Sequence, residues 1–221
     1  MKILIDSANV EKIRELNEYY TIDGVTTNPT ILAKEKKDYI DVLKEIHSII
    51  GNEKMLHVQV VAQTAEKMVK EAELIRGLIE GNIFIKVPVT KEGYKAMKTL
   101  SENGYNVLAT AVFTVQQALM AAKCGAKYIA PYVNRIDNAS RNGVQVVSDI
   151  VHLLSLYGLQ AGVLAASFKN ISQVHQCSLA GAQAVTCNPE IIEKLVNSLY
   201  TDKSVCQFTE DWKNSFGKDS F

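Results

Sequence analysis

One lysine lies inside an apolar segment, and this placement points to carbonyl chemistry. Lys86 is the only charged residue of Ile83–Pro88, a segment typical of a strand; Phe84 shares its face, and Ile85 and Val87 face the other way. Burial of an ammonium is costly unless the group is paired or loses its proton. A desolvated lysine with a lowered pKa is the nucleophile that a Schiff-base enzyme requires. A lysine that snorkels from the strand end, or one that forms a salt bridge, remains the alternative.

Polar side chains recur at or just after the C-terminal ends of the apolar segments. Where the apolar segment includes the polar residue, that residue lies two positions from an apolar one, so both side chains are on the same face of the strand. The set is Asp6, Asn28, Gln59, Lys86, Thr110, Tyr132 and Ser167. In a barrel of parallel strands these ends gather at one mouth, where catalytic groups are found. A purely structural explanation requires each segment to place a polar group there by chance.

Two cations follow the sixth and seventh apolar segments. Arg135 and Lys169, together with the Ser167 hydroxyl, suit a phosphate monoester, which barrels of this kind often hold late in the chain. The alternative is a pair of salt bridges at the rim, with Asp137 or Asp149 as partners.

The histidines and cysteines predict neither a metal site nor a disulfide framework. His57 falls on an apolar strand face, where a core position is expected, and the other three histidines lie in helical segments without metal-ligand spacing. The four cysteines are far apart and form no C-x-x-C pair. We therefore expect a site that uses neither a metal nor a cofactor.

The composition predicts a folded protein with a small, locally held ligand. The 221 residues include 24 Lys plus Arg against 24 Asp plus Glu, and 47% are hydrophobic. A formal net charge of zero argues against broad binding to nucleic acid or to an anionic membrane. The first acid, Asp6, comes too early for a signal-peptide core, and no uncharged apolar run reaches membrane-spanning length. These patterns predict a cytoplasmic protein.

Eight apolar runs alternate with segments of helical period, which predicts a parallel sheet covered by helices. The predicted strands are Lys2–Asp6, Gly24–Thr27, Leu56–Val61, Ile83–Pro88, Asn106–Thr110, Tyr128–Pro131, Gly162–Ser167 and Ala184–Thr186. The predicted helices are Asn9–Tyr20, Thr30–Ile50, Thr64–Ile79, Lys91–Asn103, Thr114–Lys123, Asn138–Leu156, Ile171–Leu179 and Pro189–Leu199. Eight such units favour a single α/β domain, a (β/α)₈ TIM barrel over residues 1–221. A doubly wound open sheet is the competing architecture, but the glycine-rich turn expected after its first strand is missing.

One further helix is predicted over residues 204–217. It carries Phe208, Trp212 and Phe216 at a spacing of four residues, so one of its faces is aromatic. This face needs a cover, either the helix's own barrel or a neighbouring subunit.

Four motifs carry a family resemblance. They are Gly24–Thr30, Ile85–Gly93, Ala130–Asp137 and Ala165–Lys169. The sequence resembles the transaldolase family over nearly its whole length, most closely the small branch of fructose-6-phosphate aldolases. The resemblance implies a (β/α)₈ barrel with the Schiff-base lysine on strand four, at Lys86. It also implies homopentamers, often paired into homodecamers, in which the terminal helix reaches a neighbour.

The resemblance also assigns roles to residues of the motifs and of the first strand. Asp6 would move the proton of the hydroxyl at the cleaved carbon, and Asn28 would hold the three-carbon unit. The substrate-binding set would be Thr27, Asn28, Asn134, Arg135, Ser167 and Lys169, the last three at the phosphate. Lys169 stands where larger transaldolases have arginine, the residue type that binds phosphate in a bidentate manner.

Two positions distinguish the reactions of this family. Transaldolases proper have glutamate and phenylalanine where this chain has Gln59 and Tyr132. A phenol near the Schiff base, with Gln59 and Thr110, can hold a water that hydrolyses the imine. We therefore expect a metal-free class I aldolase that cleaves fructose 6-phosphate to dihydroxyacetone and glyceraldehyde 3-phosphate.

Two alternatives stay open. A transaldolase would use the same site to move a dihydroxyacetone unit, from sedoheptulose 7-phosphate or fructose 6-phosphate, to an aldose phosphate in the pentose phosphate pathway. A non-catalytic phosphosugar sensor would keep Arg135 and Ser167 and make no covalent bond at Lys86.

Overall fold

The chain folds into a closed barrel of eight parallel strands, in which β1 pairs with both β2 and β8. The computed structural model describes residues 1–221. The strands are β1 (Lys2–Asp6), β2 (Gly24–Thr26), β3 (Met55–Gln59), β4 (Ile83–Pro88), β5 (Asn106–Val112), β6 (Tyr128–Pro131), β7 (Gly162–Ala165) and β8 (Ala184–Cys187). The predicted (β/α)₈ barrel with an extra C-terminal helix is confirmed.

Helices follow each strand and cover the outside of the barrel. They are α1 (Val10–Tyr19), α2 (Pro29–Lys34), α3 (Tyr39–Ile50), α4 (Ala65–Leu78), α5 (Lys91–Glu102), α6 (Val115–Lys123), α7 (Val133–Asn138), α8 (Gly143–Leu156), α9 (Ile171–Leu179), α10 (Pro189–Val196) and α11 (Leu199–Phe216). Their first turns are capped by side chains from the loops: Asn9 caps α1, Thr90 caps α5, and Thr114 forms a capping box with Gln117 at α6.

Two predicted helices are interrupted in the structure. The segment predicted as one helix over Thr30–Ile50 is divided into α2 and α3, because Lys36 adopts a left-handed φ of 52° and the Asp38 side chain caps a new helix. The segment predicted as Asn138–Leu156 begins only at Gly143, after a left-handed Ser140, and α7 precedes it. Both breaks lie between a strand's C-terminal end and the long helix that follows. The short helices α2 and α7 precede these breaks, on the side of the barrel mouth.

The hydrophobic core has two parts. The larger part lies between the outer face of the barrel and the helices. The smaller part fills the barrel interior with Leu4, Met55, Phe84, Leu108, Ala130, Leu164, Ala166 and Ala184. This interior packing closes the barrel below the mouth, so polar groups at the strand ends stand above an apolar floor.

His57 lies within this interior, as the sequence pattern led us to expect. Its ring stacks on Phe84 at 4.5 Å between centroids, and both ring nitrogens are buried without a hydrogen-bond partner. Burial holds the pKa of His57 well below its ordinary value, and the positive charges of Lys86 and Lys2 act in the same direction. His57 is therefore a neutral ring in the folded barrel.

Helix α11 lies largely apart from this packing. None of its residues is buried, and Phe208 and Phe216 are 68% and 61% exposed. Trp212 packs on Phe216 and on Phe221, both within its own C-terminal segment. Neither α11 nor any other helix is long and apolar enough to cross a membrane.

The neutral state of His57 predicts a loss of stability in acid. An unfolded chain protonates this histidine below about pH 6.5, whereas the folded chain does not, so the free energy of unfolding falls as pH drops through that point. We expect His57→Phe, which retains an aromatic ring beside Phe84, to remove up to about 1.4 kcal/mol of this loss per pH unit. Urea unfolding of both proteins between pH 5 and 8, at one protein concentration, measures the difference. If the free energy of unfolding of the two proteins changes equally with pH over this range, the neutral state of His57 is contradicted.

Candidate active site

The Lys86 side chain is buried at the mouth end of β4 and has one polar partner. It is 5% exposed, and its Nζ donates to the Thr27 carbonyl at 2.6 Å. Burial lowers the pKa of Lys86, and the negative charge of Asp6 acts in the opposite direction. Lys86 forms no ion pair, and it does not reach solvent by snorkelling. A neutral amine, the nucleophilic form, is thus more accessible than for an exposed lysine.

A cavity of about 100 Å³ lies around this amine. Its lining residues are Asp6, Thr26, Asn28, Lys86, Leu108, Thr110, Ala130, Tyr132, Arg135, Leu164, Ala166, Ser167 and Thr186. The apolar members come from the barrel interior, and most of the polar members come from the C-terminal ends of strands or the residues directly after them. The cavity therefore brings together seven of the residues predicted from the sequence.

The Asp6 carboxylate is held by a chain of hydroxyl groups. Thr26 Oγ1 donates to Asp6 Oδ1 at 2.7 Å and lies 2.7 Å from Thr186 Oγ1. Both threonines are buried, so the carboxylate is fixed on one side while its other oxygen has no protein partner among the hydrogen bonds. This arrangement suits a proton acceptor within the cavity.

Tyr132 is fixed on three sides at the opposite wall. Its hydroxyl lies 2.9 Å from Thr110 Oγ1, its ring meets the edge of Phe113, and the Arg135 guanidinium lies 4.8 Å from the ring centre. The strand that carries Thr110 bulges directly after it, where Ala111 has a left-handed φ of 57° and the register with β6 shifts. Bulges of this kind redirect side chains beside active sites.

Arg135 and Ser167 line the cavity on the side of β6 and β7. Ser167 has a left-handed φ of 63°, uncommon for a residue other than glycine. Arg135 and Lys169 form no ion pair, so neither is occupied by Asp137 or Asp149. An exposed guanidinium without an acidic partner is available to an anion.

Four predicted residues lie outside the cavity lining. Thr27 is buried beneath it, with its hydroxyl donating to the His57 carbonyl and its own carbonyl holding Lys86. Asn134 lies in α7 next to Arg135, and Lys169 lies in the loop between β7 and α9, two residues after Ser167. Gln59 is level with Lys86 in the register of β3 and β4, and its Oε1 is buried without a partner.

Asn28 both caps a helix and lines the cavity. Its Oδ1 accepts the Ile31 N–H as the N-cap of α2, while the residue also lines the cavity. The cap fixes the side chain and leaves its amide nitrogen as the group that can face a ligand.

The sequence analysis missed Thr26 and Thr186. Thr26 lies two residues after Gly24, and Thr186 lies two residues after Ala184. The two-residue repeat of a strand therefore could have indicated that both side chains face the barrel interior. Threonine is common in strands for reasons of packing alone, so its hydroxyl draws little attention until Asp6 is placed beside it.

Buried thiols near this region are poor alternative nucleophiles. Burial raises the pKa of Cys187 to about 12, with the charges of Asp6 and Cys177 in the same direction. Burial likewise raises the pKa of Cys177 to about 12. The thiolate, which is the reactive form, is therefore rare at neutral pH. No three His, Cys, Asp or Glu side chains are grouped to hold a metal ion.

A larger groove of about 540 Å³ lies on the outside of the barrel, against α2, α3 and α4. It is lined mainly by apolar side chains such as Leu43, Leu74 and Ile75. Lys86, Asp6 and Tyr132 do not reach it, so the smaller cavity is the candidate active site despite its size.

Solved structures with the same architecture are distant in sequence. A double variant of flavocytochrome b2 with sulfite bound matches with a TM-score of 0.63 at 10% identity, over 85% of this chain and 56% of that one. Inosine 5′-monophosphate dehydrogenase from Legionella pneumophila matches with a TM-score of 0.60 at 15% identity, over 86% of this chain and 58% of that one. The chain thus spans less than two thirds of either structure, and the likeness concerns the fold alone.

Comparisons of sequence are more specific. A protein named probable transaldolase, from Methanococcus maripaludis, is 40% identical over 214 residues, which cover 96% of this chain and 98% of that protein. The family model described as transaldolase/fructose-6-phosphate aldolase matches residues 3–219. With a closed (β/α)₈ barrel and a buried lysine without an ion pair at its mouth, the chain belongs to the transaldolase/fructose-6-phosphate aldolase family.

Proposed function

We propose that the protein is a class I aldolase that reversibly cleaves fructose 6-phosphate to dihydroxyacetone and glyceraldehyde 3-phosphate. The observation that carries the proposal is the desolvated Lys86 amine in one cavity with Asp6 and with the Tyr132 hydroxyl. The first two groups are needed to break the carbon–carbon bond, and the third is needed to release a free three-carbon ketone.

In the proposed reaction Lys86 attacks the ketone carbon, and loss of water gives a protonated imine. Asp6 removes the proton of the hydroxyl at the carbon to be cleaved. The carbon–carbon bond then breaks, its electron pair passes to the imine as an enamine, and glyceraldehyde 3-phosphate leaves as an aldehyde.

The second half of the reaction returns the proton and the water. Tyr132, with Thr110, Gln59 and a water molecule, protonates the enamine carbon. Water then adds to the imine, and free dihydroxyacetone and the Lys86 amine are restored. The contact of 2.9 Å between Tyr132 and Thr110 supports this role, because it fixes the phenol at the cavity wall.

We assign the phosphate to the side of the mouth that carries Arg135 and Ser167, with Asn134 adjacent in α7 and Lys169 in the loop after β7. Asn28 faces the three-carbon unit. Thr27 contributes through its carbonyl, which orients Lys86 at 2.6 Å.

A transaldolase is the second candidate, and the name of the 40% identical relative favours it. It would use Lys86 and Asp6 in the same way, but the enamine would wait for an aldose phosphate acceptor. The Tyr132 hydroxyl in the cavity lining supports the aldolase, because it offers a route to hydrolysis without an acceptor. A phosphosugar sensor remains the non-catalytic alternative. For each of the three candidate functions we propose a cytoplasmic location, as the sequence pattern predicts.

We further propose that α11 packs on a neighbouring subunit of a homopentamer or homodecamer. This helix of 18 residues has no buried residue. Helices in proteins owe most of their stability to packing of an amphipathic face, so an uncovered one is marginal in water. The exposed Phe208 and Phe216, with the half-buried Trp212 between them, give it an apolar face that a second subunit can cover.

Lys86→Met tests the covalent step. We expect borohydride to trap dihydroxyacetone on the wild type but not on this variant, and the rate of cleavage to fall about a thousandfold or more. Mass spectrometry of the trapped protein locates the adduct. Lys98→Met, which changes an exposed lysine of α5, is the control and should be trapped normally. An adduct on the Lys86→Met protein contradicts the assignment, and a wild type that is never trapped favours the sensor.

Tyr132→Phe tests the release step. We expect cleavage of fructose 6-phosphate alone to fall about 100-fold, because general acid–base catalysis at the imine is lost, while transfer to erythrose 4-phosphate persists. Tyr128→Phe, the same change in the barrel interior, should alter neither rate. Coupled assays with and without erythrose 4-phosphate measure both activities. Strict dependence of the wild type on the acceptor would overturn the aldolase in favour of the transaldolase.

Phe208→Glu tests the role of α11. A charge on its aromatic face should dissociate the assembly, because the carboxylate would have to be buried without a partner. Asn214→Glu places the same charge on the opposite face of the helix and should leave the assembly intact. Light scattering during size-exclusion chromatography gives the mass of each variant. A wild type that is monomeric at micromolar concentration would rule out the assembly.

A further inference from the structure

The two chain segments that carry the proposed phosphate-binding residues are bridged by a single glutamine. One loop follows β6 and leads through α7, which contains Asn134, Arg135 and Asp137. The other follows β7 and contains Ser167 and Lys169. Gln173 lies in the first turn of α9, directly after the second loop, and the proposed reaction assigns no role to it.

The Gln173 side chain bonds to both loops at once. Its Oε1 accepts the backbone N–H of Lys169 at 2.8 Å. Its Nε2 donates to Asp137 Oδ2 at 2.7 Å and lies 3.4 Å from Asn134 Oδ1. The backbone N–H of Gln173 is itself held by the Asn170 cap at 2.9 Å, so the side chain starts from a fixed point.

Asp137 transmits this contact to α7. Its other oxygen, Oδ1, accepts the Gly143 N–H at the start of α8 at 2.7 Å. The carboxylate is therefore fixed between α8 and Gln173. Because α7 has only six residues, it is too short to hold its own orientation, and the direction of Arg135 depends on such contacts.

The second loop needs support for a different reason. Ser167 has a left-handed φ of 63°, which the surrounding structure must hold in place. The Asn134 N–H donates to the Ser167 carbonyl at 2.9 Å, and the Val133 N–H donates to the Ala166 carbonyl at 2.9 Å. Gln173 adds a side-chain bridge beside these two backbone bonds, two residues beyond Ser167, where it holds the Lys169 amide.

We propose that Gln173 is a positioning residue that sets the spacing between Arg135 and Ser167 and thereby selects phosphorylated aldehydes over neutral ones. It acts through Asp137 and the Lys169 amide and does not line the substrate cavity. The inference rests on the proposed function, because it takes the groups on these loops as the phosphate site.

Gln173→Met removes the bridge and retains the length of the side chain. In synthesis from dihydroxyacetone we expect the KM for glyceraldehyde 3-phosphate to rise about 10-fold, as expected for the loss of charge-assisted contacts to the phosphate. The value of kcat/KM with unphosphorylated glyceraldehyde should stay within about 2-fold. Gln173→Glu, which sets a carboxylate against Asp137, should act in the same direction. Gln176→Met makes the matched change at an exposed glutamine of α9 and should alter neither value.

Calorimetric titration with inorganic phosphate supplies a readout that does not depend on catalysis. The proposal expects weaker binding to the Gln173→Met and Gln173→Glu variants than to the wild type. An equal fall in kcat/KM with glyceraldehyde 3-phosphate and with glyceraldehyde, or no fall with either, would overturn the proposal. If the variants bind phosphate more weakly but the wild type is not trapped at Lys86, the proposed function fails and the role of Gln173 stands.

Discussion

The removal of the Lys86 amine from water constrains everything built around it. A charged amine at 5% exposure with a single carbonyl partner is unfavourable, so burial lowers the pKa of Lys86 and makes the neutral form easier to reach than in an exposed lysine. The closed barrel makes this possible, because its interior is filled by apolar side chains up to the level of the lysine. The negative charge of Asp6 acts in the opposite direction on this pKa, and in the proposed mechanism it would stabilise the protonated imine.

The polar groups around the lysine follow a common arrangement. Each is held by protein contacts and also lines the cavity. Asp6 is held by the Thr26 hydroxyl, Asn28 by the first turn of α2, and Tyr132 by Thr110 and Phe113. Such partners orient a group before a ligand arrives, so less ordering remains for the moment of reaction. The left-handed residues Ala111 and Ser167 lie at the same mouth, and conformations of this kind cluster at functional sites.

The fold, and the grouping of most candidate site residues in one cavity, were predictable from the sequence for definite reasons. A barrel repeats the same pattern eight times, so errors of a few residues at strand ends do not change the result. Lys86 could be identified because a charge within an apolar strand has few explanations. Thr26, Thr186 and Gln173 were not identified, because each is unremarkable in its own element and gains its role from a partner on another one. The break between α2 and α3 was also hidden, since Lys36 gives no sign that it adopts a left-handed conformation.

In the proposed assembly, α11 would link the formation of a helix to the association of subunits. No residue of α11 is buried, and Trp212 packs only on Phe216 and Phe221 of its own C-terminal segment, so in the proposed assembly association would offset most of the entropy lost in ordering the helix. The intrinsic affinity between subunits would then exceed the observed affinity, with the difference spent on forming the helix. Small changes in helix propensity along α11, at positions that touch no partner, would tune the strength of assembly while leaving the barrel and its catalytic mouth unaltered.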